Sequence, residues 1–156
     1  MKAFLMSVLT FLGMVSGIYT NNEQGFELYF NTYNHTESLI ASYSILDNNL
    51  TVSTNKRFIT GKDSIIYTTR ISDDIITKIQ SLKLEKLDEH YDNKCIMLIS
   101  GAEYFIGINN GTKLKQIHLH HYYKDEVAQL VGLLNSVLPK EHHINYIERD
   151  TQQNCQ

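Results

Sequence analysis

Residues 104–120, YFIGINNGTKLKQIHLH, carry the clearest structural signal in the chain. Asn110 and Gly111 sit at the centre of the segment. Both middle residues of a type I′ turn need positive φ, which Asn tolerates and Gly adopts freely, so the pair predicts a hairpin between Tyr104–Asn109 and Thr112–His120. Side chains alternate across a strand. The second arm therefore carries His118 and His120 on one side with Leu114 and Gln116, and Ile117 and Leu119 on the other.

Upstream, Phe26 to Tyr33 alternates in the same way, with Phe26, Leu28 and Phe30 facing a core and Glu27, Tyr29 and Asn31 facing away. Leu39, Ala41, Tyr43 and Ile45 repeat the pattern, and Asp47-Asn48-Asn49 supplies turn chemistry before Leu50 and Val52. These segments predict an antiparallel meander. Gly61-Lys62-Asp63 marks a further turn, and Ser64 to Ile71 is rich in β-branched and aromatic residues, as a strand requires.

The period changes at Ser72. Ser72 is placed to cap a helix, Asp73 and Asp74 suit the positive end of its dipole, and Ile75, Ile76, Ile79 and Leu82 form an apolar stripe. The stripe predicts a helix to about Leu87. Asp88, Glu89, His90 and Asp92 then read as a solvated helix-to-strand loop, and Cys95 to Ile99 as a strand buried on both faces, turned by Ser100-Gly101. A second helix is capped by Asp125, striped by Val127, Leu130, Val131, Leu134 and Leu138, and stopped by Pro139. Ile144 to Ile147 reads as a short edge strand.

Strands before a helix, then strands before a second helix, predict an α+β fold with a mainly antiparallel sheet and two helices on one face. The order also admits a β-β-β-α duplication, although the halves share no residue pattern. No Pro/Gly-rich linker divides residues 18–149, which read as one α+β domain followed by a polar tail at 150–156.

The first residues read as an export signal. Lys2 precedes an uncharged apolar run from Ala3 to Val15, and the small residues Ser16 and Gly17 suit cleavage after Gly17, making 1–17 a secretory signal peptide. An uncleaved anchor is the competing reading, because Ala3 to Tyr19 approaches the roughly 20 apolar residues that span a bilayer. Cleavage predicts an exported protein, periplasmic or extracellular, without stable membrane insertion. Removing Lys2 takes the charge from 14 basic and 17 acidic residues to 13 and 17, about −4, and no basic cluster stands against it. Nucleic acid is thereby disfavoured as a partner.

Cys95 and Cys155 are the only cysteines and allow one intramolecular pairing, which an oxidising compartment favours. The alternative leaves Cys95 as a core thiol and Cys155 in the tail. Asn34-His35-Thr36, Asn49-Leu50-Thr51 and Asn110-Gly111-Thr112 match the glycosylation sequon, which matters only in a eukaryotic host.

Histidine is the one chemically versatile residue that clusters. His118 and His120 read either as a row of partly solvated imidazoles on an exposed strand face or as a two-point chelate there, and a zinc tetrahedron would recruit further ligands from His121, Glu126, His142 or His143. Nickel or copper suits imidazole equally. The order Gly111, His118, His120, Glu126, Gly132 superficially resembles a cupin metal motif. Its spacings fail, however, and Glu126 and Gly132 fall on the predicted helix. A metallo-β-lactamase-type His-x-His-x-Asp-His also fails, because Tyr122 holds the Asp position. No nucleophile elbow or phosphate-binding glycine loop is present.

The leading expectation is a small non-catalytic exported protein, with no cofactor, that binds a protein or other macromolecular partner as an inhibitor or immunity protein would. Tyr29 and Tyr33, aromatic residues on a polar strand face, are its candidate contacts. A metal-binding protein using His118 and His120 is the alternative. A small secreted hydrolase pairing His90 or His121 with a carboxylate is the third.

Overall fold

The computed structural model describes residues 25–34, 39–56, 63–93, 102–111 and 113–146. The proposed signal, the Cys95–Ile99 strand, Cys95, Cys155 and the tail at 150–156 lie outside them.

Among the described residues, seven strands, β1 (Glu27–Asn34), β2 (Leu39–Leu46), β3 (Asn49–Lys56), β4 (Ser64–Arg70), β5 (His90–Asp92), β6 (Ala102–Asn109) and β7 (Leu114–His120), form one sheet in the order β4-β3-β2-β1-β6-β7-β5. Every neighbouring pair is antiparallel except β5 with β7. Two helices, α1 (Asp73–Ser81) and α2 (Asp125–Asn135), complete the α+β architecture on one face of the sheet. The duplication gains no support. Four meander strands precede α1, whereas β5, β6 and β7 precede α2, with β5 joined to β7 rather than β6.

Alternation explains which sheet face is covered. Leu28, Phe30, Ile45, Leu50, Ile106, Ile117 and Leu119 point to one side, where they meet Ile76 and Ile79 of α1 and Val127, Leu130 and Leu134 of α2 in a single core. Phe30, Leu28 and Ile45 are fully buried, each worth roughly 1.5–3 kcal/mol relative to exposure. The other face carries Tyr29, Phe105, Gln116 and His118 and holds the functional candidates.

Several local expectations need correction. The turn with two positive-φ central residues is at Asp47 (φ 49°) and Asn48 (φ 61°), where Leu46 pairs with Asn49. Between β6 and β7, Asn109 pairs with Leu114, so four residues make the link. Among the described residues of that link Gly111 alone takes positive φ, at 82°, and its N–H donates to Asn109 Oδ1 at 3.0 Å. Asn110-Gly111 thus serves a longer loop.

Ser72 caps α1 as expected, accepting from the Ile75 N–H at 3.4 Å. The helix nonetheless stops at Ser81, because Lys83 turns left-handed at φ 52° and Leu84–Lys86 form a separate 3₁₀ turn. Leu84 and Leu87 remain buried, so the apolar spacing continues after the backbone has left the helix. Asp125 is the first residue of α2 and not its cap; Lys124 holds that position without a side-chain bond.

The expected strand at Ile144–Ile147 is replaced, over residues 143–146, by an extended segment held by side chains. Asn135 donates to the Ile144 carbonyl at 3.0 Å and accepts its N–H at 2.8 Å, a two-bond imitation of strand pairing. Ile144 is thereby fixed in the core. Tyr104 donates to the Asn145 carbonyl at 2.9 Å, and Tyr146 Oη accepts from the Lys124 N–H at 2.8 Å while donating to the Tyr122 carbonyl at 3.1 Å.

Candidate functional site

The outward sheet face is laid out by register. Tyr33, Glu103, His120 and Asp92 lie side by side across β1, β6, β7 and β5; the next row is Asn31, Phe105, His118 and His90, and the third is Tyr29, Gly107 and Gln116. Neighbours in such rows have Cβ atoms roughly 5 Å apart, within side-chain reach.

The first two rows form a histidine–carboxylate cluster. His118 Nε2 lies 3.6 Å from Glu103 Oε2, and His120 Nε2 lies 3.9 Å from Glu103 Oε1. Both separations exceed a hydrogen bond, although protonation of either ring would make an ion pair. His118 stacks flat on Phe105, with ring centroids 4.4 Å apart and planes within 2°. His90 meets the other side of His118 edge-on at 6.1 Å.

His120 is only 1% exposed, although its face is the uncovered one. Glu103 and Asp92 flank it on neighbouring strands, while His121, at φ 50°, leaves the strand and sets its ring edge-on at 4.5 Å. Burial is the main force holding the His120 pKa below its ordinary value. The adjacent His121 adds to that depression, and Glu103 and Asp92 oppose it. Neither ring nitrogen of His120, nor His118 Nε2, has a hydrogen-bond partner.

The third row opens a groove. Gly107 has no side chain between Tyr29 and Gln116, and the depression over it joins Tyr29, Phe105, Leu114 and His118 into a cavity of about 540 Å³. Asn31, Glu89 and His90 supply polar atoms. Tyr29, Phe105 and Leu114 are 40%, 39% and 55% exposed, so this face presents substantial apolar surface.

His118 and His120 share a face, as expected, and Ile117 and Leu119 enter the core. Tyr29 lines the groove, and Tyr33 stands opposite Glu103 in the first row. The proposed additional metal ligands are differently placed. His121 stays beside His120, but Glu126 belongs to α2, His142 packs at a 45° tilt against Tyr67 with ring centroids 5.3 Å apart, and His143 Nε2 contacts the Leu138 carbonyl at 3.1 Å. Among the described residues no group of three or more His, Cys, Asp or Glu side chains could hold a metal ion.

Glu103 is the residue that sequence reading missed, while His90 and Asp92, read there as loop residues, are brought into the cluster by a strand. The segment assigned to a solvated loop is β5, bound in parallel to the histidine strand and extended by Glu89 and Asn93. His118 N–H donates to the Glu89 carbonyl at 2.8 Å, and Asn93 N–H donates to the His120 carbonyl at 3.0 Å. Glu103 had a legible signal, since it shares the outward parity of Phe105 and Gly107 across from the histidines.

Among the described residues, no helix is long and apolar enough to cross a membrane. No protein-family model and no curated protein matches the chain.

Proposed function

We propose that this chain is a small exported, non-catalytic binding protein whose outward sheet face receives a partner protein, in the manner of an inhibitor or immunity protein. The observation that carries this reading is the groove over Gly107: an apolar depression on the face opposite both helices, with polar atoms at its margin. An apolar core within a polar rim is the composition of a protein-binding patch. The occupant is an apolar side chain of the partner, seated between Tyr29 and Phe105. Asn31 and Gln116 offer hydrogen bonds beside it. The export component rests on Lys2, the apolar run Ala3–Val15 and the small residues Ser16 and Gly17. The net negative charge of the mature chain suits a partner with a basic surface.

Immobilised wild-type protein, Tyr29→Ala/Tyr33→Ala and Tyr29→Ala/Phe105→Ala are exposed in parallel to the exported protein fraction of the host. One protein is recovered by wild type and lost from both folded variants if this face binds it. Equal recovery on all three removes the face from consideration. A small molecule retained by wild type in native mass spectrometry, with no protein recovered, replaces the partner with a ligand.

A further inference from the structure

We infer that His118 is a pH gate for the groove: uncharged, its ring completes an apolar wall that admits the partner's side chain, and protonated, it turns to Glu103 and disfavours apolar occupants. The gate rests on the groove being the binding position, and adds regulation to it.

One ring serves two sites. His118 lines the groove beside Phe105, on which it lies flat with ring centroids 4.4 Å apart. Its Nε2 is buried without a hydrogen-bond partner, 3.6 Å from Glu103 Oε2 in the next row. A neutral imidazole leaves this nitrogen unsatisfied, whereas an imidazolium can donate to the carboxylate. Charge-assisted N–H···O bonds run at about 2.8 Å. Pairing therefore draws the ring toward Glu103, which lies on the opposite side of the His118 row from Gly107.

The neighbouring groups decide which ring Glu103 receives. Its other oxygen faces His120 Nε2 at 3.9 Å, but His120 is 1% exposed, and burial above all holds its pKa below the ordinary value. His120 therefore resists the proton. His118 is partly exposed and open to solvent through the groove. From β5, His90 meets His118 edge-on at 6.1 Å; Glu89, just before that strand, pairs with Lys115 at 3.5 Å. Asp92 and His121 stand around His120, and Tyr33 of β1 lies across from Glu103. Glu103 is the carboxylate that meets the His118 nitrogen.

Desolvation sets the sign. An apolar group seated against the ring removes water from it, which penalises the imidazolium more than the neutral form. Occupation of the groove thus favours loss of the His118 proton, and by reciprocity protonation favours loss of the occupant. Histidine changes charge between about pH 5 and 8, so the gate works within that interval.

The full-length protein is titrated with N-acetyl-L-phenylalaninamide, an uncharged probe carrying one apolar ring, at about pH 8 and about pH 5.5. Binding is read from the Gly107 amide and Leu114 methyl resonances, whose dispersion also reports that the protein stays folded. Affinity is expected to fall about tenfold at the lower pH, tracking the titration of the His118 ring nitrogens. His118→Phe, which keeps a flat apolar ring without a titrating nitrogen, should bind with an affinity that does not change with pH. His90→Gln should retain the pH dependence. Equal or tighter binding at the lower pH overturns the gate and leaves the groove standing. Undiminished pH dependence in folded His118→Phe, or its loss in folded His90→Gln, also overturns the gate. Failure of the probe to bind at either pH removes the groove as an apolar site and the gate with it.

Discussion

Filling the groove at Gly107 separates its role in binding from a role in folding. Gly107 lies within β6, outside the positive-φ glycine conformation seen at Gly111, so its backbone conformation is open to other residues. A Cβ there would meet Tyr29 Cδ2 at 3.6 Å and Tyr29 Cβ at 3.7 Å, ordinary van der Waals distances. Glycine inside a strand costs roughly 0.5–1 kcal/mol relative to alanine, and the β-propensity scale adds gains of up to about 1 kcal/mol for a β-branched residue. Gly107→Val should therefore preserve stability or raise it by about 0.5–1 kcal/mol. In a chain of this size that corresponds to a midpoint increase of about 1–4 °C. Its methyl groups would occupy the space assigned to the partner's side chain, so capture should fall while the melting temperature holds or rises. A loss exceeding about 1 kcal/mol in a reversible melt would show that the backbone or its neighbours require glycine. A stable variant with undiminished capture would refute the groove as the binding position.

Tyr146→Phe removes the acceptor of the Lys124 N–H and the donor to the Tyr122 carbonyl, and should destabilise the protein by about 1–3 kcal/mol in denaturant unfolding. Stability should decline as pH falls below about 6.5, where an unfolded histidine begins to charge while folded His120 still resists. The sign follows from the depressed folded pKa. The contribution is complete above the unfolded value, shrinks as pH falls, and is lost once folded His120 also protonates. His120→Gln should flatten this part of the profile, although Glu103, Asp92, His118 and His121 face the same ring and retain their own electrostatic effects. The exported protein should begin at Ile18, as read by N-terminal sequencing; retention of Met1 would identify an uncleaved segment.

Local patterns made much of the fold legible. Leu28 and Phe30 alternate with Glu27 and Tyr29 because one face of β1 is core and the other is not. Ser72 followed by two acidic residues marks the start of α1, and α2 buries the stripe read from its sequence. The hairpin register was harder. A two-residue Asn110-Gly111 turn would place Glu103 opposite His118, whereas the observed four-residue link places it opposite His120. Because the shift is two residues, every side chain keeps its face while its partners change. The local turn motif is consequently a better guide to strand polarity than to the site's composition.

β5 was illegible for a different reason. Its three residues carry no strand-length pattern, and its pairing with β7 is parallel and non-local, reached only after the chain has passed through α1. The alignment of His90 with His118 and of Asp92 with His120 comes from tertiary packing. Ile144 likewise has strand-like composition, but the Asn135 amide supplies the two bonds that another strand would otherwise make.

Site-specific photo-crosslinking tests most directly which face of the sheet engages the partner. A photoreactive phenylalanine derivative replaces Phe105 in the outward groove or Lys78 on the exposed side of α1, and each protein is irradiated in the intact host. The account predicts one discrete protein adduct from position 105 and none from position 78. Adducts from position 78 alone, or none from either position with both proteins folded and exported, would contradict the assignment of the outward sheet face as the binding surface.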